Sequence, residues 1–193
     1  MSISYSHQLK FGKFETWTER PDFNLKEVKQ VHGVAIVGPD KIPCEADGIT
    51  VKWKDFAEAL AIKTADCLPI LIEGDKGVVF LHAGWRGLAD GILKEDSIKN
   101  ITPQIVVIGP AIHSCCFEVS EEFLENFKQS SNFSRRNGKL YFDLPQEAKD
   151  QLAKFFPNIR IETAKECTCC DKKFHSYRRD KTNLRNWNIY IKG

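Results

Sequence analysis

LPILIEGDKGVVFLHAGWRG, residues 68–87, carries the reading of the fold. It contains two short apolar runs, 68–72 and 78–81, mostly β-branched and bounded by glycine or charge, the pattern of strands buried on both faces. Runs of the same kind recur at 31–37, 59–62 and 105–108, and two more strand candidates lie at 159–163 and 187–191. Directly after Gly84-Trp85-Arg86-Gly87, the spacing of Leu88, Ile92, Leu93 and Ile98 predicts a helix over 88–100. A second helix is expected over 120–129 with Ser120 as its N-cap. A third starts at Asp143, where Asp143 and Gln146 make a capping-box-like entry, and stops at Pro157. Residues 130–138 read as a surface loop. No repeat, linker or low-complexity tract divides the chain, so the expected fold is α+β, one domain over 1–193 with a mixed β-sheet and packed helices.

Composition narrows the partners. A formal charge of +2 over 193 residues, 42% of them hydrophobic, is too even to announce a nucleic-acid face. The longest apolar run is far short of the ~20 residues a membrane helix needs. Neither nucleic acid nor membrane is therefore expected as a partner; a small molecule is. Seven cysteines form an odd and unevenly spaced set, and residues 1–10 hold no apolar h-region, so reduced thiols and a cytoplasmic location are expected.

Three patches carry chemistry: Gln30-Val31-His32-Gly33, Thr64-Ala65-Asp66-Cys67 and His82-Ala83-Gly84-Trp85-Arg86-Gly87. His32, Cys67 and His82 each stand at the edge of a predicted strand. Together they offer two imidazoles and a thiol, three ligands of a tetrahedral zinc shell with its fourth position open, as in catalytic rather than structural sites. Gly84 and Gly87 flank a strand-to-helix turn in which backbone N–H groups and Arg86 are expected to hold an anion. Asp66, next to Cys67, is a candidate general base or orienter of a ligating histidine. Asp47 in Glu45-Ala46-Asp47-Gly48 has a weaker claim to the same roles, and a plain turn is the favoured reading. Between 172 and 185 runs a basic segment from which Arg178 or Arg179 would support the anion. Cys167-Thr168-Cys169-Cys170 is read as Cys-x-Cys-Cys without a second half, and these thiols are expected to bind no metal.

These patches, with Leu68-Pro69, Gly109-Pro110-Ala111-Ile112 leading to Cys116-Phe117-Glu118-Val119, and Cys167-Thr168 with Ser176-Tyr177-Arg178-Arg179, occur in an order that resembles the YfiH/laccase-domain family. That family is also labelled multicopper polyphenol oxidase, purine nucleoside phosphorylase or peptidoglycan editing factor, and the resemblance covers roughly residues 28 to 191. It implies metal ligands at His32, Cys67 and His82. It further implies phosphorolysis of adenosine, inosine and methylthioadenosine, with some adenosine deamination. Zinc suits three such ligands better than a multicopper cluster, which needs more histidines than five. The chain departs from the family in a shorter segment ahead of His32 and in Asn183-Leu184-Arg185 where Thr-Gly-Arg is common.

The expected enzyme is thus a zinc-dependent purine nucleoside phosphorylase, with nucleoside and phosphate as its small-molecule partners. Arg86, Gly84 and Gly87 would bind phosphate with Arg178 or Arg179, and Asp66 would move the proton. One rival is an amide hydrolase acting on peptidoglycan precursors, with Cys67 as nucleophile and His82 as base. The other is a non-catalytic partner-binding domain.

Overall fold

A computed structural model of the chain describes residues 2–193. In chain order the elements are β1 (Ile3–Gln8), β2 (Gly12–Trp17), β3 (Leu25–Glu27), β4 (Ile36–Val37), β5 (Gly48–Lys52), β6 (Ala59–Thr64), β7 (Leu68–Gly74), β8 (Gly77–Ala83), α1 (Trp85–Asp90) and α2 (Asp96–Asn100). After them come β9 (Pro103–Ile108), β10 (Glu118–Val119), β11 (Phe133–Arg136), β12 (Lys139–Phe142), α3 (Leu144–Phe155), β13 (Arg160–Thr163), α4 (Tyr177–Asp180) and β14 (Asn186–Lys192). The class is α+β, but the single expected sheet is three. A six-stranded mixed sheet runs β13-β9-β7-β8-β5-β4, a five-stranded sheet runs β1-β2-β14-β6-β3, and β10-β12-β11 form a small antiparallel sheet.

Alternation along β7 explains the layering, because successive side chains point to opposite faces. Ile70 and Ile72 join Val79, Leu81 and Ile108 in a core covered by Leu88, Ile92, Ile98 and the apolar side of α3. Leu71, with Val78, Phe80 and Val107, faces the other way, onto Phe14, Leu60, Ile62 and Tyr190 of the five-stranded sheet. β7 and β8 are buried along their whole length, as their unbroken apolar runs require.

Several local expectations change. Gly91 adopts a left-handed conformation (φ 91°) and caps α1, donating to Gly87 and Leu88 carbonyls, so the helix expected over 88–100 is broken. A 3-10 turn, Ile92–Lys94, then leads to α2, and the apolar stripe keeps its burial through the break. Glu121–Phe127 is 3-10 rather than α, with no side-chain cap from Ser120. Asp143 does cap α3, its Oδ1 accepting the Gln146 amide at 3.0 Å. The strand expected at 31–37 shrinks to β4, because His32 turns the backbone to φ 63°. The loop expected at 130–138 contains β11, which pairs with β12.

One buried carboxyl gives the fold a pH dependence. Glu73 in β7 accepts from the Tyr190 hydroxyl at 2.5 Å and the Phe11 amide at 3.3 Å. Burial nonetheless lifts its pKa above the ordinary 4.5. The folded chain therefore keeps this proton where the unfolded chain has lost it. Its stabilising contribution is complete below the unfolded value and lost as pH rises through the folded one. In thermal unfolding, Glu73→Gln should gain on the wild type as pH is raised from about 4 towards neutrality. A constant gap between the two would contradict this account of Glu73.

Candidate metal centre and cleft

Strand pairing brings the three chemical patches together. In the β7–β8 ladder Leu68 lies opposite Ala83, so Cys67, one step earlier, meets Gly84 just beyond the end of β8. In the β5–β8 ladder Gly48 lies opposite Leu81, which sets Asp47 beside His82, and the His82 amide donates to the Asp47 carbonyl at 2.8 Å. The His32 loop is drawn in from the other side. Gln30 acts as a false strand partner: its amide donates to Lys63 O at 2.7 Å and its carbonyl accepts from Lys63 N at 2.8 Å.

Asp47 then fixes both histidines. Its Oδ1 accepts from His82 Nδ1 at 2.8 Å and from the His32 amide at 2.9 Å. Its Oδ2 accepts from the amides of Gly33 at 2.6 Å and Val31 at 3.3 Å. Those donors support the positive φ of His32, an uncommon conformation for a non-glycine residue. With Nδ1 committed to Asp47, His82 has Nε2 left for a ligand, the carboxylate–histidine arrangement usual behind a metal. Burial raises the Asp47 carboxyl, but His82, Gly33 and His32 together hold it below the usual range. The plain turn favoured for Asp47 thus gives way to the orienting role that an aspartate one step before a β-strand suggests only weakly.

The ligand atoms of His32, Cys67 and His82 lie within 4.8 Å of one another, and the two imidazole rings are 4.7 Å apart in an edge-on arrangement. Burial raises the Cys67 thiol, yet the two imidazoles bring it down to about 6. Burial lowers His82, yet Asp47 and Cys67 carry it up to about 9. Each of the two thus draws the other towards its charged form. A metal ion held here would take the place of the His82 proton. Two imidazoles and a thiolate converging within one ion's reach fit a zinc-type ion with an open fourth position.

Gly84 is the floor of this cradle. A Cβ there would sit 3.1 Å from Cys67 Sγ and 3.4 Å from His32 Nδ1. Its backbone is extended (φ −78°, ψ 176°), so alanine would not strain the chain itself. Gly84→Ala should therefore leave the unfolding midpoint nearly unchanged. Crowding costs of about 1–3 kcal/mol fall on two ligand side chains, which corresponds to roughly 5- to 150-fold weaker metal affinity in chelator competition.

Above the cradle opens a cleft of about 610 Å³, within the range of small-molecule sites. Its basic rim is Lys29, Lys63, Arg86 and Arg185, and no carboxylate lines it among the described residues. Lys29 and Lys63 pair with Glu45 and Glu27. Arg86, exposed, lies over the Trp85 ring at 4.5 Å; neither it nor Arg185, which donates from one guanidinium nitrogen to the Thr182 and Leu184 carbonyls, forms an ion pair among the described residues. Tyr177, half exposed, also lines the cleft.

Four other residues singled out from sequence lie elsewhere. Asp66 turns away from Cys67 through a positive φ (93°) and is buried. Its Oδ1 accepts from Thr168 Oγ1 at 2.7 Å and its Oδ2 from Arg178 N at 2.6 Å, which anchors the start of α4 and so Tyr177. The Arg178 guanidinium donates to the carbonyls of Cys116 and Glu118, and that of Arg179 to Thr168, Cys169 and Phe174. Both arginines brace loops rather than face the cleft. Gly87 is buried against the Gly33 carbonyl, where a Cβ would come within 3.0 Å, so it seats α1 on the His32 loop. With only six residues, α1 also contributes little dipole at its N-terminus. Arg185, rather than Arg178 or Arg179, is the second arginine at the cleft.

The family described as multi-copper polyphenol oxidoreductase laccase matches residues 13–189. A purine nucleoside phosphorylase of Aquifex aeolicus is 38% identical over 160 residues, covering 79% of this chain and 73% of that protein. Purine nucleoside phosphorylase YfiH of Escherichia coli is 34% identical over 176 residues, covering 82% and 70%. Among solved structures, a Neisseria meningitidis protein superposes with a TM-score of 0.77 at 27% identity, over 87% of this chain and 74% of that one. YlmD from Geobacillus stearothermophilus does so with 0.72 at 28% identity, over 86% and 73%.

Proposed function

Because the chain belongs to the multi-copper polyphenol oxidoreductase laccase family, we propose that it is a zinc-dependent purine nucleoside phosphorylase acting on adenosine, inosine and methylthioadenosine. The observation that carries this reading is the make-up of the cleft. It sets two arginines without carboxylate partners above a His–Cys–His cradle and is lined by no carboxylate among the described residues. An anionic co-substrate is what such a rim favours, and Arg86 and Arg185 are the phosphate donors in this reading.

His32, Cys67 and His82 would hold the zinc ion, and a bound zinc supplies positive charge and a Lewis-acid position beside the substrate. Arg86 and Arg185 orient the phosphate, while Tyr177, set in place by Asp66 through α4, offers an aromatic face for the purine. Asp66 is thus a positioning residue. Deamination of adenosine at the same centre is a secondary activity here, since zinc deaminases also use a carboxylate as proton shuttle and none lines the cleft among the described residues. We assign the protein to the cytoplasm, a setting in which its seven free cysteines stay reduced. No helix among the described residues is long and apolar enough to cross a membrane.

The proximity of Cys67 to His82, each drawing the other towards its charged form, also favours a second reading, a thiol hydrolase acting on an amide such as a peptidoglycan-precursor peptide. One assay separates the two. Adenosine and inosine incubated with and without phosphate should give free base and ribose 1-phosphate in equal amounts, only when phosphate is present. Activity on a muramyl peptide that survives chelation and is abolished by thiol alkylation would select the hydrolase instead.

A further inference from the structure

Four thiols that no part of the cleft uses meet behind the wall that carries Tyr177. Cys115 and Cys116 lie between β9 and β10, and Cys167 and Cys170 between β13 and α4. Their sulfurs all fall within 4.8 Å of one another, with Cys170 Sγ at 3.3 Å from Cys116 Sγ and 3.5 Å from Cys115 Sγ. Four sulfurs each ~2.3 Å from one zinc ion stand ~3.8 Å apart, so this spacing suits a single tetrahedral ion. The missing second half of Cys167-x-x-Cys170 is the adjacent pair Cys115-Cys116, distant in sequence.

The backbone is shaped for the same task. A parallel bridge joins Ala111 to Cys167, and the Thr168 amide donates to Ala111 O at 2.9 Å. The His113 amide points at Cys167 Sγ at 3.4 Å, and the Cys170 and Asp171 amides close a tight turn on Cys167 O. Arginines surround both loops. Arg136 donates to Ser114 O, Arg178 to Cys116 O and Arg179 to Cys169 O. When one Zn²⁺ replaces four thiol protons, which leave to solvent, the site carries two net negative charges, and these guanidinium groups offset them.

We propose that Cys115, Cys116, Cys167 and Cys170 hold a second, structural zinc ion that ties the 109–119 segment to the segment leading into α4. That tie would brace the cleft wall from behind, through Arg178, whose guanidinium spans the Cys116 loop and whose amide is held by Asp66. The claim is independent of the ion at His32, Cys67 and His82.

The decisive protein is therefore the full chain carrying Cys67→Ala, purified under reducing conditions with zinc and analysed for metal. It should keep one zinc per chain, with an all-sulfur first shell by X-ray absorption. Replacing that zinc with cobalt should give the intense thiolate-to-cobalt bands of a four-sulfur site. Adding Cys115→Ser and Cys170→Ser should take zinc from one per chain to none, whereas adding Cys169→Ser should leave it at one. If the serine variants do not fold, the absorption and cobalt spectra of Cys67→Ala decide the matter alone. Loss of all metal in Cys67→Ala would overturn the proposal. So would iron in place of zinc, or recovery of these four cysteines as disulfides from the reduced preparation.

Discussion

Asp47→Ala is expected to empty the His32–Cys67–His82 centre and to destabilise the fold by about 3–5 kcal/mol, the cost of removing one partner from a buried charged pair. The size follows from what the carboxylate holds. Four donors end on its two oxygens: His82 Nδ1 and the amides of His32, Gly33 and Val31. Without it, His82 loses the bond that fixes its ring, and His32 loses the support for its left-handed backbone. Asp47→Asn is the sharper variant, because it keeps the volume while removing the charge and exchanging one acceptor oxygen for a donor. Its amide nitrogen must face either the His82 side or the Gly33 side, so one set of donors is left unmatched. Metal affinity should fall by roughly 10- to 100-fold in the asparagine variant, read by chelator competition, with urea unfolding reporting the stability. Unchanged affinity in both variants would show that Asp47 is a turn residue after all.

Cys67→Ala should remove the cleft metal and nearly all nucleoside turnover. Its thiolate is the anionic member of the ligand set, drawn to about 6 by the two imidazoles that share the site. Two neutral imidazoles alone hold zinc far more weakly. Loss of several kcal/mol of charge stabilisation corresponds to a fall in kcat/KM of roughly 10³-fold or more. The fold should survive, since the side chain is only half-buried and alanine fills a position opposite Gly84 without a clash. Steady-state kinetics beside a thermal melt checks both halves. Full phosphorolysis by a well-folded Cys67→Ala protein would remove the thiol from the account.

What could be read in the sequence was whatever depends on local pattern. The unbroken apolar runs of β7 and β8 announce strands buried on both faces, and Cys67 and His82 stand out as polar groups at the ends of those runs, as His32 does within the run at 31–37. What depends on pairing between distant strands was not legible. Asp47 becomes the keystone only because β5 lies beside β8, and an aspartate before glycine looks the same in any turn. Cys167 and Cys170 look unpaired until the bridge from Ala111 brings Cys115 and Cys116 to them. The charge of Arg178 and Arg179 suggests a place at the substrate, whereas carbonyl oxygens from several loops take up their guanidinium groups. The N-terminal hairpin escaped detection because β2 buries Glu15 and Thr16, so its sequence lacks the apolar alternation of a strand. Gly91 broke a helix whose apolar spacing alone gave no reason to stop.

The central claim is that His32, Cys67 and His82 hold one metal ion at the floor of a phosphate- and nucleoside-binding cleft. Anomalous scattering from crystals of the zinc-loaded chain, recorded on either side of the zinc absorption edge, tests it most directly. A zinc peak bonded to Cys67 Sγ and to one nitrogen of each imidazole is expected, with His82 Nδ1 still on Asp47. A map in which zinc-loaded protein shows no peak between these three side chains would contradict it.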